Sequence, residues 1–591
     1  GQSIADDARD EIAGLTARLF CSSGFGKSKA GGLYADVLRK LKARPEEILH
    51  IGDNRKADVD GVAPFGVNTL HLRQFAGLTE QRLRLEASVG AMLHPQESGN
   101  AATPQLHRAG IAAAEASIAD PSEAFGFAVL SPVMSGFERW LQAEARALRK
   151  ARGGTVHWLF LMRDGWLPMR VHAAACPDDP GHAVEISRFT SIAASFRSEA
   201  DVQRHVEMEL GLNPPTLARQ VLLPEADITR LVGDLSLQDG SLALLREMRK
   251  GDRKRQTLRA SRAMADRLIA HVRQTVDPAE GDTLMLVDLG YNGTVQNQID
   301  AVLAKALKVH VAGRYLLLRE TDRPGLDKRG FIGADHYDAF TLEAFCTNVA
   351  VLEQLCTRHS GSVIDYTPTG EPIRRDNDIK QRQSATREQI QTGCVRFMAE
   401  SAKPIVRAMP GDQAPEQSGD GWRMGAASAL ARLMFLPLEE ELAILERFEH
   451  DVNLGTDRTV ALFDRAVARR GLRERGLFYM KGADRMYLPA ELHGQGMAPK
   501  LALFAHKRFG LPMNHADFAD ASIDVPVIFA AGEDLSPRPV TATATHDGYY
   551  MAAIPIGDCR YSVALQFGQA FGWLQVESAG FLAVDDFMSE S

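Results

Sequence analysis

Ile48-Leu49-His50-Ile51-Gly52-Asp53-Asn54-Arg55-Lys56-Ala57-Asp58-Val59-Asp60-Gly61 is the stretch from which the rest of the chain is read. Ile48–Gly52 is a short apolar run of strand length, and it stops at a Gly-Asp pair. Working upstream, Leu33–Leu41 has helical spacing, Gly26-Lys27-Ser28-Lys29 opens that helix, and Ala17–Ser22 is another short run suited to a buried strand. Downstream, Val67–Leu72 is a third. Strands alternating with helices over residues 1–75 predict a parallel sheet with helices on its faces. Asp53 and Asp58 follow the strand tip, where open α/β sheets bind their ligands. Two carboxylates on one turn there are hard oxygen donors suited to Mg²⁺. Lys27, with Lys29 as second choice, stands on a neighbouring loop where it can neutralise a phosphate or a carboxylate nucleophile.

This half-pattern resembles the second half of the haloacid dehalogenase (HAD) superfamily core. Lys27 matches the family's third-motif lysine, and Gly52-Asp53-Asn54-Arg55-Lys56-Ala57-Asp58 matches its acidic fourth motif. The resemblance implies a phosphatase-type hydrolase, with Lys27 as the catalytic lysine and Asp53 and Asp58 on Mg²⁺. The family's nucleophile, the first Asp of a DxD motif, has no match among the 26 residues before Lys27, and Ser22-Ser23 lie too close to it to serve as the second motif. Without a nucleophile, Lys27, Asp53 and Asp58 do not complete phosphoryl transfer through an aspartyl-phosphate. The chain begins Gly1-Gln2-Ser3 with no Met and no visible signal peptide, so either its N-terminus is processed or residues precede it.

Two strand tips further on carry partial acidic patterns. Leu161-Met162-Arg163-Asp164-Gly165-Trp166 has Met where a nucleophile would stand, and Val287-Asp288-Leu289-Gly290 has Gly in place of a second Asp. A circular permutation that moves the missing half downstream is therefore weighed and set second. Around these tips lies a second constellation: Arg163 and Asp164, then Ser187 and Arg188 after a short strand, then Asp288 with Asn292, Gly293 and Thr294 opening a helix. A glycine turn at a helix N-terminus favours an anion, so these residues are candidates for a phosphate or sugar-nucleotide pocket. Tight turns with a structural Arg–Asp pair are the alternative.

The assembly of FLMRDGWLP (Phe160–Pro168), VDLGYNGTVQ (Val287–Gln296) and VLEQLCTRHSGSVIDY (Val351–Tyr366), downstream of the HAD half, resembles large bacterial HAD-like proteins of surface-polysaccharide biosynthesis. That implies a sugar-phosphate or glycan ligand and a cytoplasmic setting. Two other functions stay open: a non-catalytic glycan-pathway assembly factor, and a glycosyl or phosphosugar transferase working from the central α/β domain. The expected layout is α/β. A partial Rossmann-like HAD core (1–78) and a helical connector (79–153) precede a central α/β domain (154–375). A helical segment (376–490) and a β-sandwich-like C-terminal domain (491–591) follow.

Composition sets outer limits. Hydrophobic residues are 45% and charged residues 24%, as in ordinary globular chains. Net charge is −8, which gives no bulk case for nucleic-acid binding. No apolar run is long enough to span a membrane. The six cysteines lack CxxC spacing and read as free thiols in a reducing compartment, with no zinc site among them. Arg246–Arg262 is strongly basic and reads as a solvated helix face, with an anionic-ligand patch as the alternative. Tyr549, Tyr550, Tyr561, Phe567, Phe571 and Trp573 read as β-domain core, with sugar stacking as the alternative, and His546-Asp547 is a turn pair. Nothing in the residues sets the oligomeric state.

Overall fold

A computed structural model describes residues 18, 20–72, 75, 77–94, 105–209, 213–233, 235–319, 325–346, 349–358, 360–375, 384–401, 415–451, 459–461, 522–531, 534–544, 549–554, 562–565 and 576–581. The chain divides into two compact units, Gly1–Gln81 and Arg82–Ser591.

The first unit carries α1 (Tyr34–Leu41), β1 (Leu49–Gly52) and β2 (Asn68–His71), the two strands paired in parallel. The expected strand over Ala17–Ser22 does not form among the described residues. Ser22–Phe25 is helical instead, and Gly26 ends that turn in the left-handed region. The acidic turn covers one face of the strand pair, where Asp58 lies against Gly52 so closely that a Cβ at position 52 would overlap the carboxyl. Alternation puts Leu49, Ile51, Leu70 and Leu72 on the other face, and each is about half exposed.

The second unit is built on five parallel strands. They are β3 (Val156–Leu161), β4 (His182–Val184), β5 (Thr283–Tyr291), β6 (His310–Leu318) and β7 (Asp327–Gly333), in spatial order β4-β3-β5-β6-β7. The runs VHWLFL, TLMLVDL and HVAGRYLLL are apolar on both faces because helices cover both. Trp158, Phe160, Met285 and Val287 pack on one side with Phe137, Ile390 and Leu430. Leu159, Leu161, Leu284 and Leu286 pack on the other with Met264, Leu268, Ile299 and Tyr366.

The first layer includes α2 (Ser131–Arg152), α3 (Trp166–Ala175), α8 (Ser384–Ser401) and α9 (Pro415–Phe435); the second includes α4 (Arg188–Ala193), α5 (Gly251–Val276) and α6 (Thr294–Leu307). Helix α2 stops at Gly153, whose N–H donates to the Arg149 carbonyl. The segments expected as a helical connector and a helical segment share one core with the sheet, since Val89, Phe125, Ile390, Ala426 and Phe448 belong to the same cluster as Trp158. Within the expected helical segment, α9 begins at Pro415.

Helix α8 approaches the Pro121–Phe125 and Gly126–Leu130 turns at backbone distance. A Cβ on Gly126 would strike the Ile390 carbonyl, and one on Gly393 would strike the Glu123 carbonyl. Neither obstacle is a side chain that can swing aside. Gly393→Ala is therefore expected to cost about 3 kcal/mol, the upper part of the overpacking range, read as a lowered urea midpoint with an unchanged m-value.

Between β4 and β5 the chain also builds a satellite cluster around Phe196, Val202, Leu217 and Leu244. The basic stretch edges it as two helices, and Arg253 and Lys250 within it are ion-paired. Arg253 holds Asp227 and Glu247, at 2.8 and 2.7 Å, and Lys250 also holds Glu247, at 2.6 Å.

Near the C-terminus, β8 (Ser522–Ala531) and β9 (Asp534–Ala544) form an antiparallel pair flanked by Tyr550–Met551 and Ser562–Leu565. Tyr550 packs on the Val525–Val527 cluster, while Tyr549 donates to Glu577 at 2.7 Å. Tyr561, Phe567, Phe571, Trp573, His546, Asp547 and Cys559 lie outside the described residues. No helix among the described residues is long and apolar enough to cross a membrane.

Candidate functional site

The acidic turn of the first unit is wired differently from its expected role. Lys27 ion-pairs with Asp36 on α1 at 2.7 Å. Lys29, two residues on, is the lysine that reaches Asp58. Ser28 caps the intervening turn by accepting from the Gly31 N–H at 2.9 Å, which turns Lys27 and Lys29 to different partners. The buried Asp58 carboxylate also accepts from His50 Nε2 at 3.1 Å and from the Asn54 N–H at 2.9 Å. Lys29 chiefly, with His50 and the Asn54 amide offsetting burial, holds its pKa down to about 2.

Asp53 is exposed at the strand tip, its carbonyl accepting from His71 Nε2 at 3.0 Å. A magnesium ion would have to displace a lysine, an imidazole and a backbone amide from Asp58. Mg²⁺ demands near-ideal oxygen geometry, so this donor set does not fit it. The set fits a structural lock. A carboxylate depressed in the fold contributes stability above its unfolded pKa of about 4 and loses it as pH falls toward 2. Asp58→Asn is expected to destabilise the protein by about 2 kcal/mol at pH 6, the difference from wild type vanishing near pH 2 in thermal melts.

The second unit offers the richer site. From β3 the chain crosses to β4 on one side, while β5 pairs on β3's other side. The carboxyl ends of β3 and β5 therefore flank the topological switch point, the place where open α/β sheets bind ligands. Register pairs Phe160 with Val287, so Arg163-Asp164-Gly165 beyond β3 and Asp288 near the end of β5 converge on that crevice. Gly165 starts α3 there.

Burial first, then the charge of Asp164, pushes the Asp288 carboxyl well above its ordinary range, with Arg188 pulling weakly the other way. A carboxyl raised by burial and by a second carboxyl nearby is the pattern of two acids sharing one site. Glu353, on α7 (Val349–Cys356), adds negative charge. Arg387, from α8, is buried, donates from Nε to the Gln354 carbonyl at 2.7 Å, and is lowered to about 10 by burial while feeling both Asp164 and Arg163. The Cys356 thiol beneath is pushed up, by burial first.

The other candidates have different duties. Ser187 caps α4 by accepting from the Thr190 N–H at 3.0 Å, and its hydroxyl donates to the Val363 carbonyl at 2.7 Å. Arg188, next to it, is exposed and free to meet a ligand from solvent. Gly293, at φ 60°, caps α6 ahead of Thr294. The Asn292 carbonyl accepts from Lys328 Nζ at 3.4 Å and its side chain from Arg319 at 3.4 Å. The structure thus gathers Arg163, Asp164, Asp288 and Arg188 in one electrostatic group, and sets Asn292, Gly293 and Thr294 on a separate basic turn.

At the crevice's rim, Glu185 is clamped by Arg358 at 2.8 Å and by both arms of Arg374 at 2.6 Å. The Glu185 N–H donates to His271 Nε2 at 3.0 Å, and His271 Nδ1–H donates to the Gly370 carbonyl at 2.9 Å, which fixes a neutral imidazole. Burial holds that imidazole's pKa down. Sequence reading missed Glu353, Arg387 and the Glu185 clamp, because each sits in a helix or loop without a local motif. No protein-family model matches this chain, and a search of the curated proteins finds no match.

Proposed function

We propose that this chain is a phosphohydrolase-type enzyme acting on a sugar phosphate, working from the β3/β5 crevice of its second unit. The observation that carries the reading is the convergence of Asp164 and Asp288 at the switch point, where β3 pairs with β5 and where burial, with Asp164 nearby, pushes the Asp288 carboxyl above its ordinary range. Environments that drive two carboxyls apart assign them to base or nucleophile and to acid. In this reading the Asp164 carboxylate attacks phosphorus or activates a water, and Asp288 gives its proton to the departing sugar oxygen. Arg163 and Arg188 hold the phosphate, for which the guanidinium fork is suited. The sugar, and the place in surface-glycan synthesis, rest on the resemblance of the FLMRDGWLP and VDLGYNGTVQ segments. The five described cysteines are free thiols, which supports a reducing, cytoplasmic setting. In this reading the first unit's acidic turn is a fixed structural element, and Lys27, Asp53 and Asp58 do not touch substrate.

The test is phosphate release from a panel of hexose phosphates by the full chain. Asp164→Asn and Asp288→Asn should each lower kcat by about 10²–10⁴, while Asp53→Asn leaves it unchanged. Loss with Asp53→Asn and retention with both crevice variants would move the site to the first unit and overturn the reading.

A further inference from the structure

Away from the crevice, at the far end of α3, three ligand-type side chains meet. His172 and Cys176 are one helical turn apart and share a face of α3's last turn. Glu138 reaches them from α2. His172 Nδ1 lies 3.0 Å from Glu138 Oε1, and the ligand atoms of Glu138, His172 and Cys176 all lie within 4.8 Å of one another. Gln142 bridges the cluster, its Nε2 donating to Glu138 Oε1 at 2.8 Å and to Cys176 Sγ at 3.3 Å.

We infer that Glu138, His172 and Cys176 form a binding site for one zinc-class divalent cation that pins α3 to α2. One carboxylate, one imidazole and one thiolate is a donor set that zinc accepts, with water completing a tetrahedron. Ideal zinc bonds would place those donors about 3.3–3.5 Å apart, within small side-chain rotations of the arrangement seen.

An independent observation points to a missing ligand. Glu138 is 2% exposed, yet its Oε2 has no hydrogen-bond partner, and His172 Nε2, at 1%, has none either. A simple buried Glu–His pair leaves that carboxylate oxygen unsatisfied, at the full desolvation cost of the group. A cation bound by the carboxylate removes the deficit. The Trp158 ring, stacked on His172 at 4.1 Å, fixes the imidazole plane. Cys176 is only partly buried, so the ion has an entry route from solvent. Binding requires the thiolate, so the Cys176 proton leaves to water as the ion enters. The site lies roughly 15 Å along α3 from Gly165, at 1.5 Å per residue. It is therefore a structural ion that sets the helix behind Asp164 and takes no part in the crevice's chemistry.

The sequence held half of this signal, as His172-x₃-Cys176, but Glu138 comes from a different helix.

The experiment uses the full chain, stripped with chelator and titrated with Zn²⁺ and with Co²⁺. We expect one equivalent bound, a near-ultraviolet thiolate-to-cobalt band, and protection of Cys176 from iodoacetamide when Zn²⁺ is present. Cys176→Ser should abolish the band, and His172→Gln should weaken binding at least tenfold. Alkylation mapping on the wild type keeps the test valid should His172→Gln misfold. Absence of stoichiometric binding, or Zn²⁺ binding with Cys176 still freely alkylated, would overturn the site and leave a plain Glu138–His172 pair.

Discussion

Asp288→Asn is expected to lose about 10²–10⁴ of turnover and at the same time to raise the melting temperature at pH 7. The two effects share one cause. Burial, and then the nearby Asp164, push the Asp288 carboxyl well above its ordinary range in the fold. In the unfolded chain the same carboxyl ionises above about pH 4. Because the folded pKa is raised, the group subtracts stability as pH rises above 4, until the folded form also ionises. Asparagine is neutral at every pH and nearly the same shape, so it removes this penalty. The gain should be about 0.5–2 kcal/mol at pH 7, the usual return for relieving a functional site, and should fade toward pH 4. Parallel thermal melts at pH 4 and 7, with kcat at pH 7, check both arms. A variant that is both less stable and equally active would show that Asp288 is an ordinary structural carboxylate.

Glu441→Gln is expected to be the most damaging single change to stability. Glu441, in the short helix Glu439–Leu445, is 1% exposed and lies between Arg432, also 1% exposed, and Arg82 at 6%. Arg82 Nε donates to one carboxylate oxygen at 2.9 Å; Arg432 and the Leu438 N–H, the latter at 2.9 Å, donate to the other. Burial alone would raise the Glu441 pKa, but the two guanidinium charges outweigh it and hold the group ionised. The amide keeps the shape and removes the negative charge that both buried guanidiniums face. Breaking a buried pair in this way costs about 3–5 kcal/mol. Chemical denaturation should show a lowered midpoint, and soluble yield at 37 °C should fall sharply. A triple change to apolar residues of similar volume is expected to recover most of the loss.

The strands at Leu49–Gly52, Val156–Leu161 and Thr283–Tyr291 were legible because uninterrupted apolar runs bounded by turn residues admit few other readings. Ala17–Ser22 looked similar but runs into Ser22-Ser23-Gly24-Phe25-Gly26, which closes into a helical turn. The strand Asp327–Gly333 was missed because its first half is charged and its glycines break the pattern; Asp327 is held there by Arg314 and His310.

For the site, Arg163, Asp164 and Asp288 were marked as strand-tip residues, but their meeting depends on the pairing of β3 with β5, which no local pattern encodes. Ser187 shows the reverse error, since a serine before a helix is first of all a cap. The exchange of Lys27 for Lys29 at Asp58 turned on a single capping bond.

The Arg82–Glu441 contact joins residues 359 positions apart, and α8 and α9 close over helices made far earlier in the chain. On a ribosome adding about 5–20 residues per second, Arg82 emerges about 20–70 s before its partner exists. For most of that interval Phe125, Val129 and Phe137 have no Ile390 or Leu430 to cover them. The second unit therefore closes its main core only once the chain has been made as far as about Phe448, long after the helices at its start.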